Sequence, residues 1–353
     1  MLLQTHNMID RIIIDNFKSI KHADVRLQKV NLLIGPNNSG KSNFLKSVVA
    51  VKTGYKNQNG LDFKISKNNL DNLQTELVVF FNDDTIASSK ENFDNLGEIT
   101  QEQLNIKAKN FRTGLQTLYE TLSGCVIYKP DINKLHKPFR MYQNDESILE
   151  DASNITSFLQ TCLNKHRRVF NRISDELKEI LPLFEEIIID TVNNDHKNHN
   201  QAPEVKIGIR DKADRTIWAE DLSEGVLYFI ALLCIIHQPN PPKVLLLEEP
   251  ERSMHPRRIK EVIDLIRKLS DEKDIQVIMT THSPLVVDLF EDEPECIHVF
   301  EMKDGFTEIK NLKTDIIDPT NQELRDKGLD VDKDYGITLG EQWVYGYLGG
   351  VPV

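Results

Sequence analysis

The pattern of apolar and polar residues predicts strands at the start of the chain. Short apolar runs typical of strands occur between Arg11 and Ile34, in RIIIDNFKSI, ADVRL and KVNLLI. The last run leads into a glycine-rich turn, and the segment NFLKSVVAV after that turn has the spacing of a helix. LQTELVVFFN, residues 73–82, predicts a further strand, whereas the polar residues 83–100 predict a loop or the start of a helix.

The middle of the chain has a different pattern. Between residues 101 and 183, two long stretches carry apolar residues at three-to-four spacing, which predicts a helical insertion, with one strand at GCVIYKP. EEIIIDTV and EVKIGIR then flank a polar tract, the layout of a β-hairpin with a long tip. His196 and His199 lie in that tip, and we expect a solvated tip rather than a metal site because no second cluster of ligands is evident.

The residues after Asp221 predict alternating helices and strands. They read LSEGVLYFIALLCII, KVLLLEE, RRIKEVIDLIRKLS and IQVIMTTHS, and this alternation favours parallel pairing in an α/β sheet. We therefore expect an α/β core in two parts, residues 1–100 and 184–353, separated by a mainly helical insertion at residues 101–183.

Composition narrows the class of protein. The chain of 353 residues is 39% hydrophobic and 28% charged, which is typical of a globular protein, and it has no apolar run long enough to span a membrane. Its first residues lack the pattern of a signal peptide, so we expect a cytoplasmic protein. Its four cysteines are widely spaced and predict buried thiols. A net charge of −12 predicts that any direct binding to nucleic acid is weak.

The turn LLIGPNNSGKSNF carries the first chemical motif, GxxxxGK[ST], between a predicted strand and a predicted helix. Such a P-loop turns its backbone N–H groups toward phosphate oxygens, places a lysine at the β and γ phosphates, and ligates Mg²⁺ through the serine hydroxyl. The alternative is an ordinary glycine turn. The predicted nucleotide contacts are Gly35, Pro36, Asn37, Asn38, Ser39, Gly40, Lys41, Ser42 and Asn43.

Two adjacent carboxylates follow the apolar strand KVLLLEEP. Glu248 and Glu249 need a cationic partner there, and we expect Glu248 and Ser42 to bind Mg²⁺ while Glu249 acts on the attacking water. The alternative is a solvated strand end. His282 ends another apolar strand, VIMTTHSP, and we expect it beside the same phosphate because parallel sheets bind ligands at the carboxyl ends of their strands. Lys41, Glu249 and His282 are thus the predicted catalytic residues.

The fourth motif, LSEG, lies at a loop-to-helix junction. Ser223 is placed to cap a helix whose first amides face outward, and Gly225 follows in its first turn. By spacing alone, LSEG indicates no more than a helix cap.

The order of these four motifs resembles that of ATP-binding-cassette (ABC) ATPase heads, and within them the RecF-like and OLD-like AAA ATPases, which are related to SMC heads. This chain has Glu248 at the position where that family often has aspartate. It has His255 where many cassette ATPases have an aspartate in the segment called the D-loop. The stretches that carry the resemblance are RIIIDNFKSIKHADVRL, GPNNSGKSNFL, DLSEG, EEPERSMHP, TTHSPLVVD and GEQWVYGYLGGVPV.

The resemblance implies an ATPase that uses ATP and Mg²⁺ and dimerises head to head, with Ser223 and Gly225 contacting the γ-phosphate held by a second protomer. About 180 residues separate Ser42 from Leu222, too few for a long coiled-coil arm. OLD nucleases continue into a TOPRIM domain, whereas Asp330 and Asp332 near the end of this chain predict only an acidic loop.

Three functions are consistent with these features. The first is an ATP-driven switch that controls a separate effector such as a nuclease, as in bacterial anti-phage defence ATPases. The second is a RecF-like or SMC-like repair ATPase that binds DNA directly, for which the basic residues 165–168 of the insertion offer a candidate surface. The third is a transporter subunit, which the divergent LSEG signature and the NFKSI opening disfavour.

Overall fold

The computed structural model describes residues 8–53, 75–81, 85–91, 121–122, 124–140, 145–192, 204–252, 254–328 and 336–351. They form two compact units. The first comprises the residues up to Ile127, Lys243–Glu251 and the chain from Ile259 onward, and the second comprises Tyr128–Pro242 and Arg252–Arg258.

The strands lie mainly where the sequence predicts them. In chain order they are β1 (Ile9–Phe17), β2 (Ile20–Arg26), β3 (Val30–Ile34), β4 (Thr75–Phe81), β5 (Thr85–Glu91), β6 (Ile127–Tyr128), β7 (Phe139–Arg140), β8 (Phe184–Val192), β9 (Glu204–Asp211), β10 (Thr216–Trp218), β11 (Val244–Glu248), β12 (Gln276–Thr280), β13 (Ile297–Lys303) and β14 (Phe306–Asn311).

The α-helices connect these strands. They are α1 (Lys41–Thr53), α2 (Ile132–Leu135), α3 (Ile155–Lys165), α4 (Arg167–Ile180), α5 (Glu224–His237), α6 (Pro256–Lys273), α7 (Pro284–Asp288), α8 (Asp318–Asp326) and α9 (Leu339–Val344). Short 3₁₀ turns at Ala219–Asp221 and Pro294–Cys296 and a π-helix at Leu312–Ile317 complete the list. Among the described helices, none is long and apolar enough to cross a lipid bilayer.

The central sheet has the strand order β14-β13-β3-β12-β11-β6. Strands β11, β12, β3 and β13 pair in parallel, which confirms the α/β sheet predicted from the alternation of helices and strands. Strand β14 pairs antiparallel with β13 at the edge. Since β3, β11 and β12 run in the same direction, the residues that follow them lie at one edge of the sheet.

Helix α1 packs between this sheet and a second, antiparallel sheet of order β2-β1-β4-β5. The apolar face of α1, which includes Phe44, Leu45 and Val48, belongs to one buried cluster with residues of β1, β2 and the central strands. Phe44 contacts Phe300 of β13 edge to face, with ring centroids 5.9 Å apart. This packing fixes the start of α1 relative to the end of β3.

The second unit combines helices with a small antiparallel sheet. Strand β9 pairs with β8, β10 and β7, and the β8–β9 pair confirms the predicted hairpin. Helix α4 buries Phe170, Ile173 and Leu177 at three-to-four spacing, and α5 is buried from Gly225 to His237. His237 at the end of α5 hydrogen-bonds Glu176 of α4 at 2.7 Å.

One predicted loop is a strand in the structure. The polar residues 83–100 were expected to form a loop or the start of a helix, but Thr85–Glu91 form strand β5. The backbone hydrogen bonds of β5 with β4 stabilise this strand, and the sequence pattern does not reveal that pairing. The helical pattern predicted for residues 155–180 is present as two helices, α3 and α4, which meet at His166. The prediction of buried thiols is confirmed, since all four cysteines are buried.

Two further predictions concern residues that the structure does not describe. They are the hairpin tip with His196 and His199 and the acidic loop with Asp330 and Asp332.

Burial of His298 in β13 predicts acid sensitivity. Its side chain is fully enclosed, and burial lowers the pKa of its imidazole to about 4, with the Asp315 charge opposing this effect. In the unfolded chain the imidazole takes up a proton below about pH 6.5, so stability is retained above that pH and lost as the pH falls toward 4. We expect the free energy of unfolding to drop by about 2 kcal/mol between pH 7.5 and pH 5 through this residue.

Urea unfolding of wild type and His298→Gln at pH 7.5 and pH 5 gives the free energy of unfolding of each protein. The decrease between the two pH values should be smaller in the variant by the contribution of His298. An identical pH dependence in the two proteins would show that His298 does not cause it.

Candidate functional site

The predicted P-loop joins β3 to α1, and its glycines have no room for a side chain. Gly35 and Gly40 have φ values of +143° and +101°. A Cβ on Gly35 would collide with the carbonyl oxygen of Phe300, and one on Gly40 with the hydroxyl of Thr307. Substitution of either glycine therefore requires both a strained backbone and displacement of β13 or β14.

Lys41, the first residue of α1, is buried inside this loop. Its Nζ donates hydrogen bonds to the carbonyl oxygens of Gly35 at 2.6 Å and Pro36 at 2.8 Å. Burial lowers the pKa of the ammonium group to about 8, while the negative charges of Glu249 and Glu248 oppose that shift. A triphosphate at the loop would supply the negative charge that favours the ammonium form.

The nine predicted contact residues, Gly35 to Asn43, lie together in this loop and the first turn of α1. The hydroxyl oxygen of Ser39 is buried and has no hydrogen-bond partner among the described residues. A glycine cradle closed to side chains, a buried lysine and an unused hydroxyl fit phosphate groups. The hydroxyl of half-buried Ser42 and the carboxylate of Glu248 are hard oxygen donors of the kind that Mg²⁺ prefers.

The turn between β1 and β2 supports the P-loop from outside. The side-chain amide of Asn43 donates to the Ser19 hydroxyl at 2.8 Å, and that hydroxyl lies 2.7 Å from the hydroxyl of Thr307. Thr307 is the residue that covers Gly40. The NFKSI stretch is part of the family resemblance, but the sequence does not reveal that Ser19 connects it to the loop.

Glu248 and Glu249 lie at the end of β11, next to the end of β12. Glu248 is aligned with Thr280 in the parallel register. Glu249 has a φ of +49°, which is uncommon for a residue with a side chain, and its backbone N–H donates to the carbonyl and hydroxyl oxygens of Thr280 at 3.1 and 3.2 Å. These two hydrogen bonds hold the turn after β11 against the end of β12.

The structure brings His282 to the same place. Its Nε2 lies 3.7 Å from Oε1 of Glu249, and both side chains are partly exposed. The residue before it, Thr281, donates its backbone N–H to the carbonyl of Leu33 in β3 at 3.1 Å. Lys41, Glu249 and His282 thus follow three adjacent strands at one edge of the sheet.

A third carboxylate, Glu251, is buried next to the end of β12. Its Oε1 accepts hydrogen bonds from the Thr281 hydroxyl at 2.5 Å and from the His282 backbone N–H at 3.1 Å. Sequence reasoning missed this residue, although it stands within the EEPERSMHP stretch.

The C-terminal segment, Gly336–Val351, packs against the back of the P-loop. Gly350 donates its N–H to Glu301 at 2.7 Å, and a Cβ on Gly350 would lie only 3.4 Å from the Cα of Gly35. Gly340 in the same segment donates to Asp288 at the end of α7, the helix that follows His282. Two exposed tyrosines, Tyr345 and Tyr347, stand on this segment.

The signature residues lie in the second unit. Ser223 occupies the N-cap position of α5 as predicted, but its hydroxyl makes no capping hydrogen bond, and the residue is exposed. Gly225 is buried, and a Cβ there would lie 3.5 Å from the side chain of Arg258. An exposed hydroxyl at the start of a 14-residue helix is suited to meet an anion.

Comparison with curated proteins finds several relatives. The ABC transporter ATP-binding protein YhcH of Bacillus subtilis is 34% identical over 86 residues, which are 24% of this chain and 26% of YhcH. The OLD nuclease of Thermus scotoductus is 23% identical over 328 residues, covering 80% of this chain and 60% of the nuclease. The chain thus spans between about a quarter and three fifths of the length of these relatives.

Among solved structures, the Smc head bound to the C-winged helix domain of ScpA superposes with a TM-score of 0.55 at 19% identity, covering 86% of this chain and 97% of that one. This likeness confirms the fold predicted for the chain. The family model described as "AAA domain, putative AbiEii toxin, Type IV TA system" matches residues 30–288, well over half of the chain. The protein therefore belongs to this AAA_21 family and is an ABC-type P-loop ATPase domain with the fold of an SMC head.

Proposed function

We propose that this protein is an ATP-driven switch whose heads associate around ATP and separate after hydrolysis. Lys41 holds the β and γ phosphates, Glu249 orients and deprotonates the attacking water, and His282 contacts the γ-phosphate. Ser42 and Glu248 hold Mg²⁺, which, when bound, neutralises charge on the phosphates. Lys41 lies in the loop and helix that follow β3, and Glu249 and His282 follow the adjacent strands β11 and β12, and this placement supports these roles.

The observation that carries the proposed association is the exposed Ser223 hydroxyl, which does not cap its own helix. In ABC-type heads, which this chain resembles, the signature serine completes the nucleotide site of a second protomer. The γ-phosphate offers the charge that the Ser223 hydroxyl and the N-terminus of α5 bind, so ATP closes the assembly and ADP does not.

We further propose that a separate effector protein, such as a nuclease, responds to this closure in bacterial anti-phage defence. A toxin in the family description and a nuclease among the relatives support a setting in which nucleotide state controls a destructive activity. ATP binding then sets the fraction of closed heads, and the effector distinguishes the closed from the open form.

Replacing Ser223 with arginine should prevent closure. The longer, positively charged side chain occupies the space of the second protomer's phosphate and removes the hydroxyl, so we expect turnover to fall by about 100-fold or more. ATP binding at the P-loop should persist, because the loop lies in the other unit. Light scattering with ATP and with ADP measures association.

Thr216→Arg is the matched control, since it adds the same side chain to an exposed position of the same unit. It should associate and hydrolyse ATP as the wild type does. A Ser223→Arg protein with wild-type turnover would rule out the composite site.

A further inference from the structure

We infer that Glu251 is a positioning residue that holds His282 beside Glu249 during ATP hydrolysis, an inference that rests on the proposed ATPase function. Glu251 follows Glu249 by two residues and lies in the turn after β11. Its carboxylate therefore belongs to the acidic strand end, but its contacts are with the end of β12.

The contacts join the two strand ends through one oxygen atom. Oε1 of Glu251 accepts from the side chain of Thr281 and from the backbone of His282, at 2.5 and 3.1 Å. A single acceptor thereby fixes both a side chain and the peptide that carries the histidine. Without it, the Thr281 hydroxyl and the His282 N–H lose this partner inside the protein.

The network continues to the strand that leads into the P-loop. Thr281 donates its own N–H to the Leu33 carbonyl at 3.1 Å, and its hydroxyl accepts from the N–H of Ser283 at 3.0 Å. Glu251 thus connects the ends of β11 and β12, which precede Glu249 and His282, with β3, the strand that leads into the P-loop of Lys41. Movement of this junction shifts His282 relative to Glu249, whose side chains are now 3.7 Å apart.

Burial supports a role in positioning rather than in contact with nucleotide. Glu251 is 8% exposed, and its other oxygen, Oε2, has no hydrogen-bond partner in the described part of the chain. Burial raises the pKa of this carboxyl, and the hydrogen bonds from Thr281 and His282 oppose the increase. Since both protonation states offer an accepting oxygen, the contacts do not require the negative charge.

This reasoning distinguishes two substitutions. Glu251→Gln keeps an accepting oxygen for Thr281 and His282, whereas Glu251→Ala removes it. We expect kcat for ATP hydrolysis to fall by about 10- to 100-fold in Glu251→Ala, because small displacements of catalytic groups have effects of this size. KM for ATP should stay close to the wild-type value, and Glu251→Gln should restore most of kcat.

Amide hydrogen exchange at His282 gives a readout that does not depend on hydrolysis. In protein labelled with ¹⁵N-histidine, the His282 amide should exchange faster in Glu251→Ala than in wild type and Glu251→Gln, because its hydrogen-bond acceptor is gone. Thr281→Val, which removes one of the two donors, should lower kcat less than Glu251→Ala. If Glu251→Ala does not fold, the test is kcat of Thr281→Val: a lowered kcat supports the positioning role, and an unchanged kcat contradicts it.

Asp211→Ala is the control for the loss of a buried carboxylate, since Asp211 accepts hydrogen bonds in the loop before β10, in the other unit. It should lower the melting temperature and leave kcat unchanged. Equal kcat in Glu251→Ala and wild type, or equal loss in the Gln and Ala variants, would overturn the positioning role. A wild-type protein that binds ATP without hydrolysing it would instead overturn the proposed function.

Discussion

Replacement of Glu249 with glutamine should reduce ATP turnover by about 100- to 10,000-fold while ATP remains bound. Glutamine keeps the size and the accepting oxygen of the side chain but cannot take a proton from water. The backbone contacts of Glu249 with Thr280 are independent of the side chain, so the turn after β11 stays intact. Blocked hydrolysis should trap the closed assembly, which light scattering detects as a dimer that persists with ATP.

The matched control is Glu186→Gln in strand β8, where the native carboxylate forms an exposed ion pair with Arg210. That variant should hydrolyse ATP at the wild-type rate. Rapid hydrolysis by Glu249→Gln in a single-turnover assay would refute the assignment of Glu249 as the base.

Replacement of Lys41 with alanine should weaken ATP binding by about 100-fold, since it removes charge-assisted hydrogen bonds to the phosphates. This ammonium group is buried in the loop, and burial lowers its pKa to about 8. The preceding loop residues, Gly35 to Gly40, include no second cation that could take its place. Isothermal titration with a non-hydrolysable ATP analogue measures the loss.

Lys46→Ala tests the specificity of this effect, because Lys46 lies on the same helix but is exposed. It should bind ATP as the wild type does. Equal ATP affinity in Lys41→Ala and wild type would exclude the P-loop as the nucleotide site.

The local elements of the site were predictable from sequence. The strand β3, the turn of glycines and helix α1 are adjacent in the chain, so periodicity and the GxxxxGK[ST] spacing describe them together. The ends of β11 and β12 were predictable for a related reason. Parallel strands end at one edge of a sheet, and this places Glu249 and His282 together once the alternation of elements is recognised.

Contacts between distant parts of the chain were not predictable. Thr307 covers Gly40 across more than 260 residues of sequence, and strand β14, which carries Thr307, was not among the predicted elements. Strand β5 has the polar sequence TIASSKE and owes its conformation to pairing with β4. The single-residue break at His166 also leaves no sign in an apolar spacing that continues through it.

The C-terminal segment connects the back of the P-loop with two tyrosines exposed at the surface. Gly350 packs against Gly35, and Gly340 donates a hydrogen bond to Asp288 in the helix after His282, so displacement of this segment would change the surroundings of the P-loop. We expect a molecule that binds the exposed Tyr345 and Tyr347 and displaces the segment to change the affinity for ATP by some factor. By reciprocity, ATP changes the affinity for that molecule by the same factor.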